Sequence, residues 1–528
     1  MPDTWKHFQQ HFYENQEIGI QLDFSRMQND ERAVSQEQKQ IMFSGMKQLE
    51  QGAVSNPDEK RMVGHYWLRK PSIAPTKEIQ NEILRMQEQV QQFVQKIHRG
   101  EIRTEKNQTF AFLLVIGIGG SSLGPCFAVQ ALEEVSGKGL KAYFMDNTDP
   151  DGMDRIFETL SPHTDEVLTL VISKSGSTVE TRNGMEETRL FYQKQGLHFE
   201  RHAAAVTQKE SLLYQICQQE QWLDCFPMWD WVGGRTSITS AVGLLPLALA
   251  GVDIQQFLAG AAKTDEVTRI PDLEQNPAAL LASSWYQACK NDNRIQMIIL
   301  PYKDRLQLLT SYLQQLVMES LGKEVNLRGD VVHQGLVVWG RKGSSDQHSY
   351  MQQLLDGPDN FFLTFIEVLK DRTGTSPVIA ENSTSGDFLH AFLLGSREAL
   401  QIRRRQTLTL TMPEIDAFHL GVLIALYERA VGFYAGLMQI NAYNQPAVEI
   451  GKKSASTFIA LKNCILQEFK KHPQQFFTVE ELAQRIQKTG QYELIFKLVQ
   501  HLWVNEEHIQ AQSVQEGPWK RRYGWIEP

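Results

Sequence analysis

The sequence predicts an α/β protein: two successive, mainly parallel sheets covered by helices, with helical segments at both ends. Three observations predict it. Short apolar, β-branched runs alternate with helical patterns from about residue 106 onward. A stretch rich in turn formers, Thr268 to Ala279, carries two prolines and separates two such series. Apolar positions at helical spacing mark the chain before and after them. The expected organisation is therefore 1–105, a helical segment packing on the core; 106–270, a first α/β domain; 280–450, a second; and 451–528, a helical tail.

In order along the chain, Met62 to Arg69 and Ile79 to Gly100 have helical spacing, with Gly100 placed to end the second helix. The run Phe110 to Pro125 is continuously apolar and then breaks into glycines, which reads as a buried strand and a tight turn. Leu140 to Pro150, Glu166 to Ser177, His202 to Gln208 and Phe226 to Asp230 supply four more strands. The second series comprises Arg294 to Tyr302, Gly335 to Gly340, Phe361 to Leu369 and Thr407 to Met412, with a helix from Ser311 between the first two. Strands that alternate with helices lie parallel in a sheet covered on both faces. The closing segment Pro518 to Pro528 is aromatic and basic, and no pattern assigns it.

Composition narrows the function classes. At 528 residues, 42% hydrophobic and 22% charged, the chain fits a soluble multidomain protein. The N-terminus has no apolar core of a signal peptide, and apolar runs such as Ala241 to Val252 are too short to cross a bilayer, so no membrane partner is expected. Five cysteines without a Cys-x-x-Cys pair argue against a zinc site and a disulfide framework, and fit a reducing cytoplasm. A net charge of −9 disfavours nucleic acid as a partner, yet leaves room for a local cluster that holds a small anion.

The run Ser173 to Thr181 (SKSGSTVET) carries the most chemistry. Hydroxyls of Ser173, Ser175 and Thr178, the cation Lys174 and the flexible Gly176 sit where a strand ends and a helix begins. Unpaired N–H groups at a helix start, together with the positive end of its dipole, receive a phosphate. The same run also reads as an ordinary turn in which Thr178 caps the helix.

Four further segments offer candidates. In Val115 to Pro125 (VIGIGGSSLGP), Gly117 and Gly119 fit the start of a dinucleotide fingerprint, but Ser122 stands at its third glycine; Ser121 and Ser122 instead supply hydroxyls suited to sugar hydroxyls or phosphate, and a glycine turn that merely permits close strand–helix packing is the plainer reading. Arg235 follows a Gly-Gly turn and presents a permanently charged fork of donors to a phosphate or an oxyanion, or else a surface ion pair. Gln315 and Glu319 share a helix face, and Gly322 ends that helix, leaving Glu319 near the negative end of the dipole; a solvated surface glutamate is the plainer reading. His348 follows a strand and a polar turn, where imidazole suits proton donation. Gln445 and Lys452 lie in a segment that is unremarkable by itself.

Taken together, IGIGGSSLGP, SKSGSTVET, VGGRTS, MESLGK, GSSDQHSYMQQL and NQPAVEIGKK, in that order from about Val115 to Lys453, resemble the glucose-6-phosphate isomerase (phosphoglucose isomerase) family, in its bacterial variety. The resemblance implies two three-layer αβα sandwich domains of the sugar-isomerase type and a homodimer with a shared active site. It also implies interconversion of glucose 6-phosphate and fructose 6-phosphate without metal or organic cofactor. On matching positions, Ser173, Ser175 and Thr178 would bind phosphate with Lys174 and Gln445 nearby, while Gly120, Ser121 and Gln315 would lie along the sugar. Glu319 would move the proton between C2 and C1, Arg235 would stabilise the enediolate, and His348 (from the partner subunit) with Lys452 would assist ring opening. Glu180 is the expected orienter of that histidine. The chain departs from family wording at Gly176, at GSSDQH and at Ala447. Another aldose–ketose phosphate isomerase, a sugar-phosphate sensor and a nucleotide-dependent dehydrogenase are the competing readings.

Overall fold

The computed structural model describes residues 4–27, 34–136, 139–290, 292, 294–512 and 516–526; the side chains of 134–136 and 448–456 lie outside that description. The chain forms two compact units, Met1–Asn444 and Gln445–Pro528.

In the first unit, β1 (Phe12–Asn15) and β2 (Ile20–Arg26) form a hairpin. Five strands follow: β3 (Phe112–Ile116), β4 (Lys141–Met145), β5 (Val167–Ile172), β6 (Ala203–Gln208) and β7 (Asp224–Met228). They make an all-parallel sheet in the order β4-β3-β5-β6-β7. Next come β8 (Gln296–Pro301), the small antiparallel pair β9 (Lys323–Val325) and β10 (Val331–Gln334), then β11 (Val337–Trp339) and β12 (Phe361–Val368). A second small pair, β13 (Val378–Ala380) and β14 (Ser383–Thr384), precedes β15 (Gln406–Met412). The second large sheet runs β1-β2-β15-β12-β8-β11, parallel from β15 to β11, with the hairpin added antiparallel on β15.

Residue alternation explains how the two sheets are held. In β3, Leu113 and Val115 face one core while Leu114 and Ile116 face another. In β8, Met297 and Ile299 join the same core as Leu113, while Ile298 and Leu300 turn away from it. One large apolar core therefore receives one face of each sheet, and each sheet has a separate core on its other face. The period of two along a strand produces this division. Each fully buried Leu or Ile contributes about 1.5–3 kcal/mol of transfer free energy.

The helix Ala417–Met438 lies in the shared core with most of its side chains buried. It is long and apolar enough to cross a membrane, more so than the sequence reading allowed, but 89% of its apolar window is buried within the protein. It also carries the ion-paired Glu428 and Arg429. Membrane spans and buried core helices share this composition.

Three expectations need correction. Residues 1–105 are not only helical, because Ile18, Ile20, Leu22 and Phe24 alternate with other residues and build the hairpin's buried face. His65–Leu68 is a short 3₁₀ turn, not an α-helix. The tail is not only helical either. The second unit has helices Pro446–Lys471, Val479–Arg485 and Tyr492–Asn505, together with an antiparallel sheet. That sheet holds β16 (Phe476–Phe477), β17 (Ile509–Gln512) and β18 (Arg522–Trp525) in the order β16-β18-β17. The unassigned aromatic segment is thus its central strand. The unit's own core includes Leu461, Phe469, Leu482, Ile495, Val499 and Tyr523, and the boundary between the units falls at 444/445, not at 450.

Candidate active site

In the first sheet the chain passes from β3 out to β4 and then crosses back to β5. The strand order therefore reverses between β3 and β5, the kind of switch point at whose carboxyl ends α/β proteins bind ligands. The two motifs singled out in the sequence occupy the loops after these strands. Gly117 ends β3 so close to β5 that a Cβ on it would lie 3.4 Å from the carbonyl oxygen of Ile172, the residue before Ser173.

The Ser173–Thr178 loop is organised by its own hydroxyls. Ser173 is buried, and its Oγ accepts the Gly176 N–H at 3.1 Å. Ser175 Oγ accepts the Ser177 N–H at 3.1 Å, and the two hydroxyls lie 2.8 Å apart. Gly176 has φ +73°, and a Cβ there would meet the Leu213 nitrogen at 2.3 Å, so this turn requires glycine. Thr178 stands at the N-cap position of the helix Val179–Lys194, but its hydroxyl makes no capping bond. The position is the one the ordinary-turn reading expects, without the side-chain bond. Lys174 donates to the Asp230 carbonyl at 3.4 Å. Burial and then Arg61 pull its ammonium below the ordinary lysine value, with Asp230 and Glu59 opposing.

The loop after β3 turns as a 3₁₀ helix at Gly119–Ser121 and meets a second 3₁₀ turn, Gly234–Thr236. The contact is backbone to backbone: a Cβ on Gly120 would lie 2.1 Å from the Gly234 carbonyl oxygen. Ser237 Oγ donates to the carbonyls of Gly234 (2.7 Å) and Gly120 (3.4 Å), fixing both turns. Gln315 reaches the same place; its Nε2 lies 3.2 Å from where a Gly119 Cβ would be.

Arg235 follows directly. It is buried, and its Nη2 donates to the carbonyls of Ala442 (2.7 Å) and Asn444 (2.9 Å). Its Nη1 lies 3.1 Å from Glu319 Oε2. Burial presses the guanidinium below its ordinary value, and the Glu319 carboxylate opposes that. Gln314–Glu319 winds as a π-helix, a rare form frequent at functional sites. Gln315 thereby lies beside Gly119, and Glu319 beside Arg235, the residue after Gly234. Ser121, half-buried, belongs to the same loop. Glu319 is therefore neither solvated nor isolated; its side chain is only 19% exposed.

Lys323 is a residue whose place in the site the sequence does not mark, although it stands in the MESLGK motif. It is buried, and its Nζ donates to the main-chain carbonyls of Glu319 (2.8 Å) and Asn444 (3.1 Å). Burial and then Arg235 lower its ammonium to about 8, with Glu319 and Asp58 opposing.

Other candidates lie elsewhere. His348 is exposed on the 3₁₀ turn Ser345–His348 after β11. That turn is anchored by Gln347, whose Nε2 donates to Tyr302 Oη (3.1 Å) and the Phe392 carbonyl (2.9 Å). Among the described residues, neither Glu319 nor Glu180 bonds to His348. Glu180 is half-buried in the first turn of the helix that Thr178 opens. Gln445 opens the second unit, just before the helix Pro446–Lys471, and the side chain of Lys452 lies outside the described residues.

Comparison with known proteins gives the family. The family described as phosphoglucose isomerase matches residues 23–469. A glucose-6-phosphate isomerase of Desulfitobacterium hafniense (strain Y51) is 53% identical over 520 residues, covering 98% of this chain and 97% of its own. One from Cyanothece sp. (strain PCC 7425 / ATCC 29141) is 49% identical, covering 97% of each. Among solved structures, the glucose-6-phosphate isomerase of Chlamydia trachomatis D/UW-3/Cx superposes with a TM-score of 0.77 at 25% identity, covering 87% of this chain and 91% of its own. The chain belongs to the phosphoglucose isomerase family.

Proposed function

We propose that this chain interconverts glucose 6-phosphate and fructose 6-phosphate by proton transfer between C2 and C1 through an enediolate. The observation that carries the reading is the Arg235–Glu319 pair, 3.1 Å apart beside the Gly120–Gly234 junction. When Glu319 takes the C2 proton it becomes neutral, and the negative charge passes to the substrate's C1–C2 oxygens. Arg235 faces that charge before and after the transfer. A fixed cation at a developing oxyanion, in a water-poor site, contributes several kcal/mol, about 3–4 for a single donor. Glu319 then returns the proton to C1 while the hydroxyl proton passes from O2 to O1, leaving the carbonyl at C2, so one carboxylate serves both directions.

The phosphate takes no part in bond making. Its seat is the Ser173–Thr178 loop with Lys174, and its binding holds the reacting carbons near the base. Ser121 and Gln315 line the sugar, and Gln445 belongs to the phosphate end by family resemblance. His348 and Lys452 open the ring, with His348 supplied by a second copy of the chain and Glu180 as its orienter. Two features support the dimer. His348 is exposed and makes no bond to Glu319, and apolar side chains beside the Glu319 segment (Met318, Val325, Leu327, Val331 and Val337) are exposed too.

A coupled assay of fructose 6-phosphate, with chelator and without added metal, tests the reading. We expect conversion of fructose 6-phosphate and none of unphosphorylated fructose. No conversion of the phosphate ester, or equal conversion of both sugars, contradicts it. Mixing inactive Glu319→Gln and His348→Ala proteins then tests the shared site, because one site of each mixed dimer is intact. Recovery of activity is expected, and its absence contradicts subunit sharing.

A further inference from the structure

The segment that carries Glu319 ends abruptly. After Leu321 the helix stops, and the chain enters β9 through Gly322, whose N–H donates to the Met318 carbonyl at 2.8 Å. Carbonyls in a final helical turn have no partner further along the helix, and they form the negative end of its dipole. The Glu319 carbonyl is one of them, in the same residue as the carboxylate assigned as the base. An uncompensated helix end would oppose that second negative charge.

Lys323 supplies the compensation. Its stem is buried, and its ammonium turns back to the Glu319 carbonyl at 2.8 Å and across to the Asn444 carbonyl at 3.1 Å. The Asn444 carbonyl also accepts Arg235 Nη2 at 2.9 Å. Two cations from different elements therefore meet at one oxygen. That oxygen is itself fixed, because Asp58 accepts the side-chain amides of Asn441 (2.7 Å) and Asn444. The charged groups that act on Lys323 are Arg235, Glu319 and Asp58. Like charges are tolerated this close only where anions and carbonyl dipoles face both of them.

We propose that Lys323 is a positioning residue for the reaction: it clamps the main chain of Glu319 to the backbone that grips Arg235, keeping carboxylate and guanidinium face to face. This inference rests on the isomerase reading given above. Lys323 touches no reacting atom; it acts through Glu319 and Arg235. Burial, which lowers its ammonium to about 8, adds a consequence. The clamp loses its charge as the pH rises through that value, so activity falls on the alkaline side with a midpoint there.

Full-length Lys323→Met and Lys323→Arg test it through kcat, KM and Tm for fructose 6-phosphate from about pH 6 to about pH 10. For Lys323→Met we expect kcat to fall about tenfold or more, KM to change less than about threefold, and the alkaline fall near pH 8 to vanish. Lys323→Arg, which never deprotonates, restores kcat to within about threefold and moves the alkaline fall out of range. A Lys323→Met protein of normal Tm with unaltered kcat and an unaltered alkaline limb overturns the proposal. Should Lys323→Met not fold, Lys323→Arg decides alone, because an alkaline fall still centred near pH 8 also overturns it. If the unaltered chain fails to isomerise fructose 6-phosphate, the functional reading fails; if only the variants behave as wild type, this inference fails by itself.

Discussion

Gly120 is where the site is least tolerant of change. Its backbone packs on Gly234, and a single added carbon would stand 2.1 Å from that carbonyl. Gly120→Ala must push apart the two turns that present Ser121 and Arg235. A displacement of about 1 Å at such a place costs about 10²-fold in rate. We expect kcat/KM for fructose 6-phosphate to fall by about that factor. Unaltered kcat/KM would contradict the contact. At this scale residue type and spacing mark Ser173, Thr178, Arg235 and Glu319 as candidates, and the structure adds that Arg235 and Glu319 meet at 3.1 Å. Lys323 was not legible, because Glu319 and Lys323 stand four apart on a helix pattern. That spacing ordinarily describes a solvated ion pair on a surface. Here the lysine is buried and bonds the glutamate's carbonyl instead.

Four elements converge on a buried ionic network that holds the shared core in register. Glu50 ends the helix Gln36–Glu50, Arg69 follows the turn His65–Leu68, Asp265 lies in the helix Ile254–Val267, and Glu428 and Arg429 lie in Ala417–Met438. Asp265 takes Arg69 at 2.9 Å and Arg429 at 3.0 Å; Glu50 takes Arg269 at 2.9 Å and also Arg429; Glu428 takes Arg69. Three guanidinium groups face three carboxylates, so the charges balance. The Tyr66 ring covers Arg429 at 4.1 Å. Removing one member leaves a buried charge alone, and Glu50→Gln should lower unfolding free energy by about 3–5 kcal/mol at neutral pH. Burial by itself would raise the Glu50 carboxyl, but Arg429 and Arg269 outweigh it and hold it below its ordinary value of 4.5. The stabilisation is thus complete above about pH 4.5 and is lost as pH falls through the lower folded value. Denaturant unfolding of both proteins should show a gap that narrows on acidification; a gap constant with pH would contradict this. Strands and helices with clear periods were legible at this scale, including all nine strands expected in the two large sheets. The β1–β2 hairpin was legible only in hindsight, as the alternation from Ile18 to Phe24. The aromatic tail became a strand only by pairing with Ile509–Gln512 and Phe476–Phe477, which local pattern does not reveal.

Across the first unit, function follows from topology. The strand order reverses between β3 and β5, and the two motif loops leave the sheet at that point. The shared core ties both sheets together, so the segment Gln314–Glu319, which lies between β8 and β9 in the chain, meets loops grown from the first sheet. Sequence order alone does not supply that meeting. Arg235 and Glu319 are 84 positions apart, and their approach to 3.1 Å is the act of folding that makes a site of separate motifs. In the proposed reaction Glu319 is the one base serving both carbons. The most direct measurement compares Glu319→Gln with the unaltered chain, for turnover of fructose 6-phosphate and for binding of a five-carbon sugar acid 5-phosphate. We predict that kcat falls by about 10³-fold or more while the acid's Kd stays within about threefold. Turnover within about tenfold of the unaltered chain would contradict the account.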